Sequence, residues 1–169
     1  MEYLIYNLIN FIAEGMPELQ MVDEDYGQLE CLDDNKDMYP ITFPAVLIDS
    51  AQTEWTNIKG LSQKGQATIK IRLILDCYDD THYNSGTSEK ILERQKMVEK
   101  LHKLVQGFRI NSDGGLIRTL SKHFTWDHGI KVYETTYITT VSEFIQETTE
   151  APSKPAVKIS VSRFRNETT

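Results

Sequence analysis

Apolar residues occupy every second position from Ala67 through Ile69, Ile71, Leu73 and Leu75 to Cys77, with Thr68, Lys70, Arg72 and Asp76 between them. This alternation predicts a long strand over residues 66–78 with one buried face, because successive strand side chains point to opposite sides of a sheet. Ile74 is the apolar exception on the polar side. Beyond Asn84-Ser85-Gly86 the period changes. Ile91, Gln95, Val98, Leu101 or His102, Val105 and Phe108 recur at helical spacing, and Leu92, Met97 and Leu104 widen the stripe. A helix over 88–106 is expected to lie on the strand's apolar face, capped by Thr87 or Ser88 and stopped at Gly107. Glu89 in its first turn and His102 and Lys103 near its end suit the helix dipole, and Glu99 and Lys103 form an i,i+4 pair.

The remaining segments group around this unit. Tyr3, Leu4, Tyr6, Leu8, Ile9, Phe11 and Ile12 predict a short helix, apolar nearly all round, ended by Gly15 in a left-handed cap and by Pro17. Residues 21–37 carry seven carboxylates against Lys36 and have little periodicity, which predicts a solvated or mobile loop kept extended by its like charges. Residues 43–48 and 53–58 read as two short strands, the second forming a hairpin with the long strand through the turn at Gly60–Gly65. Residues 116–126 and 130–141 are β-prone and are joined by Asp127-His128-Gly129, with Gly129 at positive φ. Tyr133, Thr135, Tyr137, Thr139 and Val141 share one face of the last strand, and Val132, Glu134, Thr136, Ile138 and Thr140 share the other. Neither face is cleanly apolar, so another subunit could cover one of them.

The fold class expected from these elements is α+β: a mainly antiparallel sheet with one long amphipathic helix packed on it and a short N-terminal helix. Residues 1–145 make a single domain. Residues 146–169 make a Pro-punctuated linker and an arm in which Val157, Ile159 and Val161 alternate with polar residues as in a strand.

Composition narrows the function classes. A net charge of -7 argues against a protein that grips nucleic acid by neutralising phosphates. No apolar run is long enough to span a bilayer, and Glu2 stands where a secretion signal carries positive charge, so a cytoplasmic protein is expected. The N-terminal helix lacks the Lys or Arg that would draw it to anionic lipid. Cys31 and Cys77 are too few for a disulfide framework and lack zinc-site spacing, which leaves two free thiols.

Several motifs with chemical content lack a residue that their chemistry requires. Asp33-x-Asn35-x-Asp37 offers the first ligand positions of a calcium loop, but Met38 replaces the turn glycine and Pro44 the closing Glu. Gly60 and Gly65 have the spacing of a phosphate loop, but Gln66-Ala67 replaces the Lys-Ser/Thr pair, and a strand follows where a helix should. Asp76, Asp79, Asp80 and His82 gather carboxylates and an imidazole at a strand end. They could bind a divalent ion in a metal-dependent nuclease or hydrolase, or form a polar turn whose side chains bond nearby amides. His102 has only Glu99 within helical reach as a co-ligand, and Trp126 with His128 could make a binding spot or simply pack. The expectation is no catalytic, cofactor-binding or metal-binding residues, no enzyme activity and no cofactor.

The element order, with Phe43-Pro44-Ala45-Val46-Leu47-Ile48, Gly65-Gln66-Ala67-Thr68-Ile69 and Val132-Tyr133-Glu134-Thr135-Thr136-Tyr137, resembles the tail-terminator and tail-completion proteins of long-tailed bacteriophages and prophages. The resemblance covers residues 43–144. It implies a structural subunit that forms a homo-oligomeric ring, hexameric by that likeness, ending the tail tube and joining it to the head. Its partners would be tail-tube and head–tail connector proteins, and its places the host cytoplasm and the virion. The acidic stretch and the C-terminal arm depart from that pattern. A cytosolic adaptor module is the remaining alternative.

Overall fold

The structure, a computed structural model, describes residues 2–31, 40–109 and 113–144. Its elements in chain order are α1 (Glu2–Gly15), β1 (Met21–Glu24), β2 (Ala45–Lys59), β3 (Ser62–Asp76), α2 (Lys90–Val105), β4 (Ile117–Trp126) and β5 (Ile130–Phe144). The strands form one five-stranded sheet in the order β1-β2-β3-β5-β4. β1 runs parallel to β2, and every other neighbouring pair is antiparallel. The α+β class and the mainly antiparallel sheet follow the sequence pattern.

The alternation in β3 explains the main core. Ile69, Ile71, Leu73 and Leu75 point to the face that also carries Val46, Ile48 and Tyr137, and both helices cover that face. The opposite face has a smaller core of Ala45, Leu47, Ile74, Ile130 and Val132 beneath Leu29 and Ile41. Ile74 is therefore no exception: the chain before β2 folds back over its end of the sheet and buries it.

The division of labour between the helices differs from the expected one. α1 is nearly as long as α2, at 14 against 16 residues, and supplies Leu4, Ile5, Leu8 and Ile12 to the core. α2 buries only Leu101 and Val105, while Ile91 and Leu92 near its start are exposed. The apolar stripe of α2 is longer than the sheet surface it meets, so its first turns project past the core. Neither Thr87 nor Ser88 caps the helix with its side chain. Glu89 is the N-cap residue, and Lys90 and Ile91 donate backbone bonds to Thr87 and Ser88 in a tight lead-in turn. Gly107 does take positive φ (82°) after the last turn. Gly15 is not among the positive-φ residues; its missing side chain instead leaves room for Leu104, whose methyl would lie 2.5 Å from a Cβ there.

Two further expectations are corrected. Residues 45–48 and 53–58 belong to one strand, β2, with Phe43 and Pro44 just before it, and its pairing with β3 is irregular between Asp49 and Gln52. Residues 21–31 are not a solvated loop: β1 pairs with β2, and Gln28 and Leu29 are buried. Asp33, Asn35, Asp37 and the arm beyond residue 144 lie outside the described residues.

Candidate functional site

The strand-end cluster opens into solvent. His82 Nδ1 lies 2.9 Å from Asp80 Oδ1, with both side chains largely exposed, and the His82 amide donates to the same carboxylate oxygen at 3.3 Å. Thr87 Oγ1 donates to the Asp80 carbonyl, and the Ser85 amide donates to the His82 carbonyl at 3.0 Å. These are the bonds of a polar turn in which side chains satisfy nearby backbone groups. Asp76 and Asp79 instead line a groove of about 380 Å³ with Lys90, Glu93 and Arg94, where cations already face the carboxylates. Among the described residues no group of three or more His, Cys, Asp or Glu side chains is arranged to hold a metal ion.

His102 has a partner that helical spacing could not reveal. Its Nδ1 lies 3.0 Å from the hydroxyl of Tyr137, which is almost fully buried, and the two rings are roughly parallel at 6.1 Å. Burial, and then the positive charge of Arg118, lower the His102 pKa, and burial pushes Tyr137 up to about 12. A neutral imidazole accepting from the phenol satisfies both groups. Glu99, the co-ligand suggested by spacing, accepts from Gln95 and sits 3.9 Å from Lys103.

This pair predicts a pH dependence. The folded pKa of His102 lies below its ordinary 6.5, so its contribution is complete above that value and declines as the pH falls through 6.5 toward the folded value. At the alkaline end, stability falls between pH 10.0 and about 12 as the unfolded chain ionises Tyr137 first. Thermal melts of His102→Gln should lose the acid-side slope near pH 6; an unchanged slope would assign it to another group.

On the other face, Arg72 in mid-β3 is buried and ion-paired with Asp25 and with Glu30, whose Oε1 lies 2.5 Å from Nη1. Burial disfavours the Arg72 charge, but the hydrogen bonds to Glu30 and Asp25 outweigh it, and its pKa is raised. Burial likewise works against the Glu30 carboxylate, and the Arg72 bond still leaves its pKa lowered. The triad fastens the turn after β1 to the sheet.

β4 is the most open part of the sheet. Every residue from Ile117 to Thr125 is exposed, including Ile117 (56%), Leu120 (47%) and Phe124 (37%). Its pairing with β5 is interrupted between Arg118 and Leu120 and regular from there to Trp126. Lys122 Nζ lies 3.5 Å from Glu134 Oε1 across that pair. The turn Asp127–Gly129 joins the two strands, with Gly129 at φ 91° as the sequence predicts. Trp126 packs against the smaller core. A cavity of about 160 Å³, lined by Leu4, Trp55, Phe108, Leu116 and Val141 together with Asp113 and Glu143, lies where the sheet runs past the helices. It is smaller than the roughly 300–1,000 Å³ usual for small-molecule sites and is the size of a side chain.

No family model and no curated protein matches this chain. Among solved structures it is similar to a chain described as "Virion of native gene transfer agent (GTA) particle", at 8% identity and a TM-score of 0.46, over 82% of this chain and 92% of that one.

The tyrosine face of β5, which the sequence left open to a neighbouring subunit, is covered within the chain: Tyr137 belongs to the main core and Tyr133 packs against it. Exposed apolar side chains of the sheet lie instead on β4 and at its far end, where Ile58 of β2, Leu61 in the turn to β3 and Phe144 of β5 are more than 40% exposed. No helix among the described residues is long and apolar enough to cross a membrane.

Proposed function

We propose that this protein is a structural subunit of a phage-like particle, acting by assembly and without catalysis, in a ring that ends the tail tube and joins it to the head. The observation that carries this reading is the open edge strand β4, ten residues long with Ile117, Leu120 and Phe124 exposed, on a sheet whose opposite edge is the four-residue β1 and, past it, the part of β2 beyond Ile48. An exposed edge of this length is a liability for a chain that stays alone and a contact surface for one that assembles. Likeness in element order to tail-terminator proteins supports the place in the particle. The net charge of -7 suits a lumen that DNA crosses without being held.

The arm at 156–164, outside the described residues, is a second contact in this reading, offered to a neighbouring subunit. The test deletes residues 152–169 and scores head–tail joining in the parent particle. Unjoined heads and tails are expected. Normal joining would eliminate the arm's role, and absence of the protein from purified particles would eliminate the particle reading.

A further inference from the structure

Strand pairing carries single rows of residues across the whole sheet. One row runs Asp23, Leu47, Arg72, Glu134, Lys122, and the row beside it on the same face runs Met21, Ala45, Ile74, Val132, Phe124. The two ends of each row lie on the two open edges of the sheet, β1 and β4. These edges differ in charge. β4 carries Arg118 and Lys122 and no carboxylate, whereas β1 carries Asp23 and Glu24 and no cation.

We propose that β4 of one copy pairs with β1 of the next, antiparallel and in the register that sets Lys122 opposite Asp23. Following the strand directions across the sheet, β1 and β2 run one way, β3 the other, β5 back again and β4 opposite to β5, so β4 is antiparallel to β1. A second copy set edge to edge in the same orientation therefore continues the sheet with an antiparallel ladder. Continuing the rows places Phe124 beside Met21, His123 beside Val22, Lys122 beside Asp23 and Ser121 beside Glu24. All four β4 positions lie on the regular side of the interruption at Arg118–Leu120, and β1 is four residues long. Opposite charges directly across a pair stabilise it, and an apolar pair beside them removes the Phe124 ring from water.

Charge also selects against the symmetric contacts. Two β4 strands would bring Lys122 and Arg118 of both copies together, and two β1 strands would oppose Asp23 and Glu24 to themselves. The edges thus favour a head-to-tail contact, which makes a ring where its rotation closes and a filament where it does not. Asp23 has local ties, accepting from the Glu24 amide at 2.8 Å and the Tyr26 hydroxyl at 3.3 Å. Lys122 is 58% exposed, lies 3.5 Å from the largely covered Glu134, and can turn to a new carboxylate at the edge.

This contact deepens the assembly reading and can fail separately from it. The test uses the full chain with Cys31→Ser and Cys77→Ala, adding Asp23→Cys with Lys122→Cys in one protein and Asp23→Cys with Thr125→Cys in an out-of-register control. Oxidation by diamide should link the first into a ladder of dimers and larger species and leave the control mostly monomeric. An independent pair, Met21→Cys with Phe124→Cys, keeps the charges: Lys122→Glu or Asp23→Lys alone should abolish its ladder, and both together should restore it. Equal linking in and out of register, or no ladder at any concentration up to the solubility limit, overturns the edge contact. Rings seen by electron microscopy without the ladder leave the ring reading intact and remove this contact from it. A ladder that grows without closing keeps the contact and removes the ring.

Discussion

Replacing Arg72 with methionine is expected to lower folding stability by about 3–5 kcal/mol, measured as an earlier urea midpoint with little change in slope. The loss comes from what remains behind. Asp25 and Glu30 sit against the sheet because a guanidinium faces both, and Asp25 is itself buried. Without Arg72, one buried carboxylate has lost its counter-charge and must take up a proton or pull the turn after β1 into water. Glu30 is 43% exposed, so water softens its share, which places the expectation toward the lower end of the range. Combining Arg72→Met with Asp25→Asn and Glu30→Gln should recover much of the loss, since no uncompensated charge is then left on the sheet. The wild-type protein should also lose stability as the pH falls through the ordinary Glu value of 4.5 toward the lowered value of Glu30. That window lies below the one set by His102, so the two can be separated in one pH series. A single variant as stable as the wild type would mean that the triad sits too near water to matter.

Arg72 also illustrates why part of this molecule was legible in its sequence and part was not. As one polar position in an alternating strand it correctly predicts a residue off the main core, because alternation is a local property of the strand. What it faces depends on which chain segment lies over that side of the sheet. The acidic stretch has no periodicity to betray β1, and a strand of four residues is too short to show one. The same holds at His102: its neighbours at three and four residues are local and readable, whereas Tyr137 is 35 residues away and meets it only because β5 pairs with β3. Helical period predicted the existence of α2 and its apolar face, yet it could not say how far the sheet extends beneath it. Tyr137 did carry a signal in the tyrosine-bearing face of β5, which suggested a covered surface but not which element covers it.

The extent of that coverage has a measurable consequence in four truncations. Leu8→Ala in α1 is expected to cost about 2–5 kcal/mol, because Leu8 has no exposed surface and its removal leaves a cavity between helix and sheet. Leu73→Ala, at the centre of the same cluster, should cost a similar amount for the same reason. Val98 in α2 is half-buried at the edge of the core, and its truncation removes fewer contacts, so a smaller loss is expected. Ile91→Ala should change stability by no more than about 0.5 kcal/mol in the isolated chain, since Ile91 is 48% exposed and alanine is the better helix former. Sequence period alone ranks Ile91 with Val98 as members of one apolar face; the structure instead makes α1 the principal cover of the sheet and leaves the first turns of α2 free. Urea denaturation of the four variants decides between these orders, and an Ile91→Ala loss equal to that of Leu8→Ala would show that α2 lies on the sheet along its whole length.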